Sequence, residues 1–270
     1  PVQVLPEEEA AKARADLDEI ERDWLDRGLP QPLNTYKRVN AHVVMPFAAS
    51  IAKDPRILDV IEGILGPDIL VYAAEFFIKE PNTSHIVSMH QDLTYWGLGA
   101  TQGLVTAWIA LSPSTPASGC MDFVRGSHKN PILPHEDSFD ADNLLSRGQE
   151  IAVEVNDADK VAVELKPGEI SLHHGLTIHG SGPNTSDDRR IGAVIRYMRP
   201  DVQKTGGECD AANLACGTDR HGLFAPSPVP TLPFQAENLA YYDQLRHLQT
   251  QVMMKGAKKD SSFYDKAKGN

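Results

Sequence analysis

The sequence predicts a mainly β fold with flanking helices, and three observations carry that expectation. Between residues 69 and 199 the chain breaks into short runs rich in Val, Ile, Tyr, Phe and Trp, separated by Gly, Pro, Asn and Asp. Helical periodicity is concentrated toward the two ends. There is no internal repeat and no abrupt change of composition across 270 residues, 41% of them hydrophobic. Many short strands with turn signals pack as a sandwich or barrel, and two antiparallel sheets forming a jelly roll are one such solution. A single domain over 1–270 is expected, with a helical part over about 1–66, a β core over about 69–199, and a lid loop with a C-terminal helix over about 200–270.

Taken in order, Ala10, Ala13, Leu17, Ile20 and Trp24 recur at helical spacing and predict an amphipathic helix from Glu7 to Arg27, stopped by Gly28 and Pro30. Asp54-Pro55 supplies a cap and a first-turn proline for a second helix, whose stripe of Ile57, Leu58, Ile61 and Leu65 closes at Gly66. Strands are expected at Ile69 to Lys79, Gly103 to Leu111, Lys160 to Leu165, Ile170 to His174 and Arg190 to Met198. A third helix is expected from about Glu237 to Met254. Two long loops, from Lys129 to about Asp159 and from Pro200 to Phe234, are expected to close over the site and carry selectivity.

Charge and cysteine usage narrow the partners. Lys plus Arg number 26 against 37 Asp plus Glu, a formal charge of -11. That argues against nucleic acid or an anionic membrane surface, since both reward a basic face, but it leaves an anionic small substrate open. The three cysteines, Cys120, Cys209 and Cys216, are scattered without metal-ligand spacing, which fits a reducing compartment. The chain opens on an acidic stretch, and no apolar run approaches the roughly 20 residues that span a bilayer. A cytoplasmic protein acting on a small molecule is expected; nothing in the sequence speaks to its oligomeric state.

His90-Gln91-Asp92, followed much later by His179, is the most informative motif. Residues i and i+2 of a strand share a face, so His90 and Asp92 can reach one ion while Gln91 points away; His179 must then arrive from another strand. Two imidazoles and one carboxylate are the ligand set of an open-faced non-haem Fe(II) site, which leaves positions for a co-substrate and dioxygen. Either His173 or His174 must face the same side of its strand as this site. Arg190 shares a face with Gly192, Val194 and Arg196.

With these residues in place, the chain resembles the phytanoyl-CoA dioxygenase family of Fe(II)/2-oxoglutarate-dependent oxygenases. The resemblance rests on Lys79-Glu80-Pro81 ahead of Met89-His90-Gln91-Asp92, on Trp108, on Gly119-Cys120-Met121 through Gly126-Ser127-His128, and on His179-Gly180-Ser181-Gly182-Pro183-Asn184 followed by Arg189-Arg190. It implies a double-stranded β-helix, a cupin-like jelly roll. It also implies that His90, Asp92 and His179 bind iron, that Arg190 and Ser181 hold the distal carboxylate of 2-oxoglutarate, and that Trp108 lines that pocket. Family spacing favours Arg190 over Arg189, which is then a solvated surface charge. Arginine suits the role because its planar fork makes two parallel charge-assisted hydrogen bonds. Arg125 stands where the family often has proline, a departure from its pattern in the loop before Gly126-Ser127-His128.

The expected activity is hydroxylation of a C–H bond of a small polar metabolite, with release of succinate and CO2. Gln91, Tyr95, Asn184, Arg125 and the loop residue Arg220 are candidate substrate contacts. No lysine or arginine cluster announces a groove for the phosphates of an acyl-CoA. Alternatives are the same fold with another outcome, such as desaturation, ring formation or halogenation, or a cupin-like metal hydrolase or idle metal-binding protein. Asp92 weighs against halogenation, because halide needs the coordination position that the carboxylate fills; Arg190 and Ser181 weigh against a hydrolase.

Overall fold

In the computed structural model residues 1–145, 147–205 and 211–254 are described, so Cys209 lies outside the described residues. Six helices are α1 (Glu7–Trp24), α2 (Leu33–Arg38), α3 (Ala41–Val44), α4 (Pro46–Ala52), α5 (Pro55–Leu65) and α6 (Ala236–Met253). The strands are β1 (Val2–Gln3), β2 (Ile69–Lys79), β3 (Val87–His90), β4 (Leu104–Ala110), β5 (Met121–Val124), β6 (His135–Asp137), β7 (Gln149–Ile151), β8 (Lys160–Val163), β9 (Glu169–His174), β10 (His179–Ser181), β11 (Arg190–Met198), β12 (Ala211–Cys216) and β13 (Ala225–Pro226). They form a large sheet in the order β1-β9-β4-β11-β2-β12-β13 and a small one in the order β3-β10-β5-β8, with β6-β7 as a separate hairpin. The two sheets make the jelly roll that the sequence predicts.

Strand alternation on the large sheet explains how the site is built. On β11, Ile191, Ala193, Ile195 and Tyr197 join one apolar core with Leu17 of α1, Tyr36 of α2, Ile57 and Ile61 of α5 and Tyr242 of α6. Burying each large apolar side chain there contributes about 1.5–3 kcal/mol. The alternate residues Arg190, Val194 and Arg196 face the other way, toward the small sheet. The same holds on β4, where Val105, Ala107 and Ile109 meet the helices while Thr106 and Trp108 face inward. A helix-covered face thus leaves the opposite face free to carry chemistry.

Helix α5 follows its sequence signals closely: an Asp54 side-chain oxygen accepts from Arg56 N at 2.9 Å, and Gly66 ends the helix at φ 88°. Helix α1 stops at Trp24 rather than Arg27, where only a loose 3.5 Å turn contact from Arg27 N to Trp24 O remains. No expectation covered α2, α3 and α4. Each has seven residues or fewer, so none shows a full amphipathic stripe, and burial of Ala41, Val43, Val44, Met45 and Ala48 holds them instead. No helix among the described residues is long and apolar enough to cross a membrane.

Candidate metal centre

His90 and His179 are direct Cα partners across β3 and β10, with ring centroids 4.3 Å apart. Asp92 does not lie on the strand: β3 ends at His90, and Asp92 opens a short 3-10 turn. Gln91 between them is still extended, at φ -117° and ψ 123°, so the i, i+2 geometry survives past the end of the ladder. One ligand atom from each of His90, Asp92 and His179 lies within 4.8 Å of the others, and all three residues are buried.

Each imidazole is oriented from behind. His90 Nδ1 is 2.9 Å from the Ser88 carbonyl, and His179 Nδ1 is 2.9 Å from the Thr177 carbonyl. A carbonyl can only accept, so each Nδ1 carries the proton and each Nε2 presents a lone pair, as carbonyl-oriented metal histidines do. Burial and the neighbouring His90 and His173 rings hold His179 well below the usual histidine range. Burial pushes Asp92 up, but the adjoining His173 and His90 rings, with His179 and Arg196 nearby, more than offset it and hold the carboxyl well below its usual value. Two neutral nitrogens and one carboxylate converging in a buried space fit a divalent iron ion.

The pair left open by sequence resolves here. His173 faces the site, its Nε2 3.8 Å from Asp92 Oδ2. His174 faces away, bonding the Thr101 carbonyl at 3.0 Å and accepting from Leu176 N at 3.1 Å.

A cavity of about 470 Å³ runs from the triad to Arg190, lined by Trp108, Met121, Ser181 and Val194. The Arg190 guanidinium lies 5.4 Å above the Trp108 ring and donates to the Gly119 carbonyl; its Nε is buried with no acceptor among the described residues. Gly119 presents that carbonyl at φ +69°, with a Gly182 oxygen where a Cβ would sit. Directly across the ladder from Arg190 stands Lys79, 0% exposed, whose Nζ donates to Ser181 Oγ at 2.7 Å and to the Gly182 carbonyl. Burial and the Arg190 charge bring Lys79 down to about 6, and burial brings Arg190 down to about 10. A buried guanidinium beside a buried amine that can gain a proton, with no carboxylate between them among the described residues, makes a place for an anion.

Lys79 carried no assigned role in the sequence; its signal was a lysine closing the apolar run of β2. Arg189, read as a solvated charge, is in fact tied outside the barrel to Glu21, Glu80 and Asp18 at 2.9–3.1 Å. The pocket floor depends on Gly192, because a Cβ there would overlap the Trp108 ring. Gly192→Ala is expected to lower 2-oxoglutarate affinity at least tenfold and to destabilise the fold by about 1–3 kcal/mol, as overpacking does. Co-substrate titration together with a thermal melt checks both.

The candidate substrate contacts separate into two groups. Tyr95 lines a second cavity of about 630 Å³, bounded also by Arg38, Glu75, Trp96, Arg196 and Met253 and open to His90 and Asp92. The other four lie elsewhere. Gln91 is fully buried, and its amide bonds Leu133 N, Leu176 O and Pro131 O, so it fastens neighbouring loops. Asn184 donates to the carbonyls of Lys79, Glu80 and Asp188 and is a structural knot. Arg125 is exposed, outside both cavities. Arg220 pairs with Asp68 at 2.9 Å on the surface.

The two loops differ likewise. Leu144, Leu145 and Gln149 of the first line the cavity, whereas no described residue of 200–234 does. Val202, Ala212 and Phe224 instead pack against Leu70, Tyr72 and Trp96 from outside, and Met253 of α6 takes the expected place at the cavity wall.

A jelly roll with two histidines and an aspartate facing a buried cationic pocket defines the 2-oxoglutarate-dependent non-haem iron oxygenases. The family model for phytanoyl-CoA dioxygenase (PhyH) matches residues 1–192, and the chain belongs to that family. It is similar to a probable phytanoyl-CoA dioxygenase of Caenorhabditis elegans, 28% identical over 163 residues, covering 58% of this chain and 52% of the relative. It is also similar to a probable alpha-ketoglutarate-dependent hypophosphite dioxygenase of Stutzerimonas stutzeri, 26% identical over 212 residues and covering 72% of each chain. Among solved structures, the apo form of the non-heme monooxygenase ThoJ superposes with a TM-score of 0.84 at 34% identity, covering 94% of this chain and 93% of that one. The chain spans about half the length of most of the curated relatives it matches.

Proposed function

We propose that this chain hydroxylates a C–H bond of a small polar molecule at the expense of 2-oxoglutarate and dioxygen, releasing succinate and CO2. The observation that carries the reading is the shared cavity: three converging metal-type ligand atoms open onto a pocket whose far end holds the buried Arg190 guanidinium with the Lys79 amine beside it. His90, Asp92 and His179 would hold iron, which when bound supplies the redox chemistry that couples decarboxylation of the 2-oxo acid to substrate oxidation. Arg190 would grip the distal carboxylate through its fork. Lys79 would hold Ser181 toward the same carboxylate, and is ready to take up a proton when an anion arrives. Trp108, Met121 and Val194 would keep that end dry, which strengthens these charge contacts. His173 would steady Asp92 through its outer oxygen.

Desaturation and ring closure share this machinery and are told apart by product. Asp92, occupying the third protein position, favours hydroxylation over halogenation. The test is aerobic incubation of iron-loaded protein with 2-oxoglutarate, with succinate as the readout. Succinate formation above a metal-free control is expected; none, with iron and 2-oxoglutarate both bound and candidate substrates supplied, overturns the reading.

A further inference from the structure

Beyond the triad, away from Arg190, the second cavity carries its own charges, and they do not balance. Arg38 and Arg196 face it with Glu75 as their counter-charge; Asp92 belongs to the metal set, and Arg147, which lies over the Tyr95 ring, is already matched to Asp137 at 2.5 Å. We propose that this end binds an oxyanion of the primary substrate, a carboxylate or a phosphoryl group, between Arg38 and Arg196. The proposal rests on reading the site as a 2-oxoglutarate oxygenase and names the class of molecule that it oxidises.

Donor counting supports it. A guanidinium has five N–H donors and no acceptor. Arg38 gives one to the Leu144 carbonyl at 2.8 Å, and its Nε is buried without an acceptor among the described residues. Arg196 is paired with Glu75, and its Nε is likewise unmatched. Even with Glu75 and the Tyr95 hydroxyl counted, both unmatched by hydrogen-bond geometry among the described residues, donors exceed acceptors in a largely buried space, and with Asp92 given to the metal one positive charge is left over. Such a surplus is costly unless a ligand supplies oxygen lone pairs.

The aromatic walls decide against a cation. Arg38 lies 4.7 Å over the Phe77 ring and Arg196 lies 4.6 Å over Trp96, so the faces that would attract an ammonium are taken by the protein's own guanidiniums. The same stacking fixes both planes and lowers the entropy lost on gripping a ligand. This anion site is distinct from the one at Arg190: Arg190 and Ser181 line only the first cavity, Arg38 and Glu75 only the second, and His90, Asp92 and Arg196 line both. A substrate held here presents its neighbouring carbons to the metal face from the side opposite the co-substrate carboxylate.

The experiment is calorimetric titration, without oxygen, of protein saturated with Fe(II) and 2-oxoglutarate, so that the Arg190 end is filled. The probes are 3-phenylpropanoate, benzylphosphonate, 3-phenylpropanamide and 3-phenylpropylamine. At least one acid is expected to bind tenfold or more tightly than the amide and the amine, and the stronger of the two acids tells carboxylate from phosphoryl recognition. Arg38→Met is expected to weaken that acid at least tenfold with 2-oxoglutarate affinity unchanged. Amide or amine binding that equals the acids, no acid binding at millimolar concentration, or an Arg38→Met protein with full acid affinity overturns the proposal. Should Arg38→Met fail to fold, the acid-to-amide ratio of the natural protein decides alone. Failure of the oxygenase reading shows separately, as absence of 2-oxoglutarate binding; the Arg190 end is then open to the acids, and loss or retention of acid affinity in Arg38→Met decides the subsite.

Discussion

His179→Ala is expected to lower Fe(II) affinity by more than about 100-fold, because loss of merely an outer-shell partner of a metal ligand already costs about 10–100-fold. The substitution removes one of three converging donors and leaves His90 facing a methyl group across the β3–β10 ladder. Affinity of the natural protein should hold near neutral pH and fall in acid. Burial keeps the His179 imidazole neutral to well below its usual range, and protons displace metal only once they compete for its nitrogen. Iron content after anaerobic loading and desalting, alongside circular dichroism to show an intact fold, is the measurement. Full occupancy in the alanine protein would end the assignment of the triad.

Arg190→Lys is expected to weaken 2-oxoglutarate by one to two orders of magnitude, since a lost charge-assisted hydrogen bond is worth roughly 1.5–3 kcal/mol and an ammonium cannot replace the fork. A second lysine would also sit directly opposite Lys79 with a shorter reach to the Gly119 carbonyl. Arg189→Lys should leave the co-substrate untouched, because that guanidinium spends its donors on Glu21, Glu80 and Asp18 outside the barrel. A titration that ranks the two variants the other way overturns the choice.

What was legible in the sequence is what local chemistry determines. Strands β2 and β11 begin and end where their β-branched and aromatic runs do, and α5 carries its cap, its first-turn proline and its terminal glycine in order. The triad was legible because its ligand types are scarce and their spacing matches strand alternation. Strand β10, of three residues His179-Gly180-Ser181, has no propensity signal; it exists because it is sandwiched between β3 and β5. Charged residues misled in both directions. Lys79, Arg38 and Glu75 look like surface residues in a string of letters, and tertiary packing turns them inward, whereas Arg196 shares the Arg190 face by strand alternation. Arg125 and Arg220 look equally chemical and stay in solvent. The period-two pattern of β2, which puts Glu75, Phe77 and Lys79 on one face, was the available clue, and a bulge at Tyr72 marks where that phase begins.

The division of strand lengths between the sheets has a kinetic consequence. Strands β2 and β11 run 11 and 9 residues and share a long ladder, whereas β3, β10, β5 and β8 have four, three, four and four. Both histidines belong to the briefer ladder. Amide protons of β3 and β10 should therefore exchange with solvent through openings that cost much less than global unfolding, while those of β2 and β11 wait for the whole barrel. A metal clasping His90 to His179 would close that opening, so iron would enter and leave through a breathing motion of one half of the molecule while the other half keeps its shape.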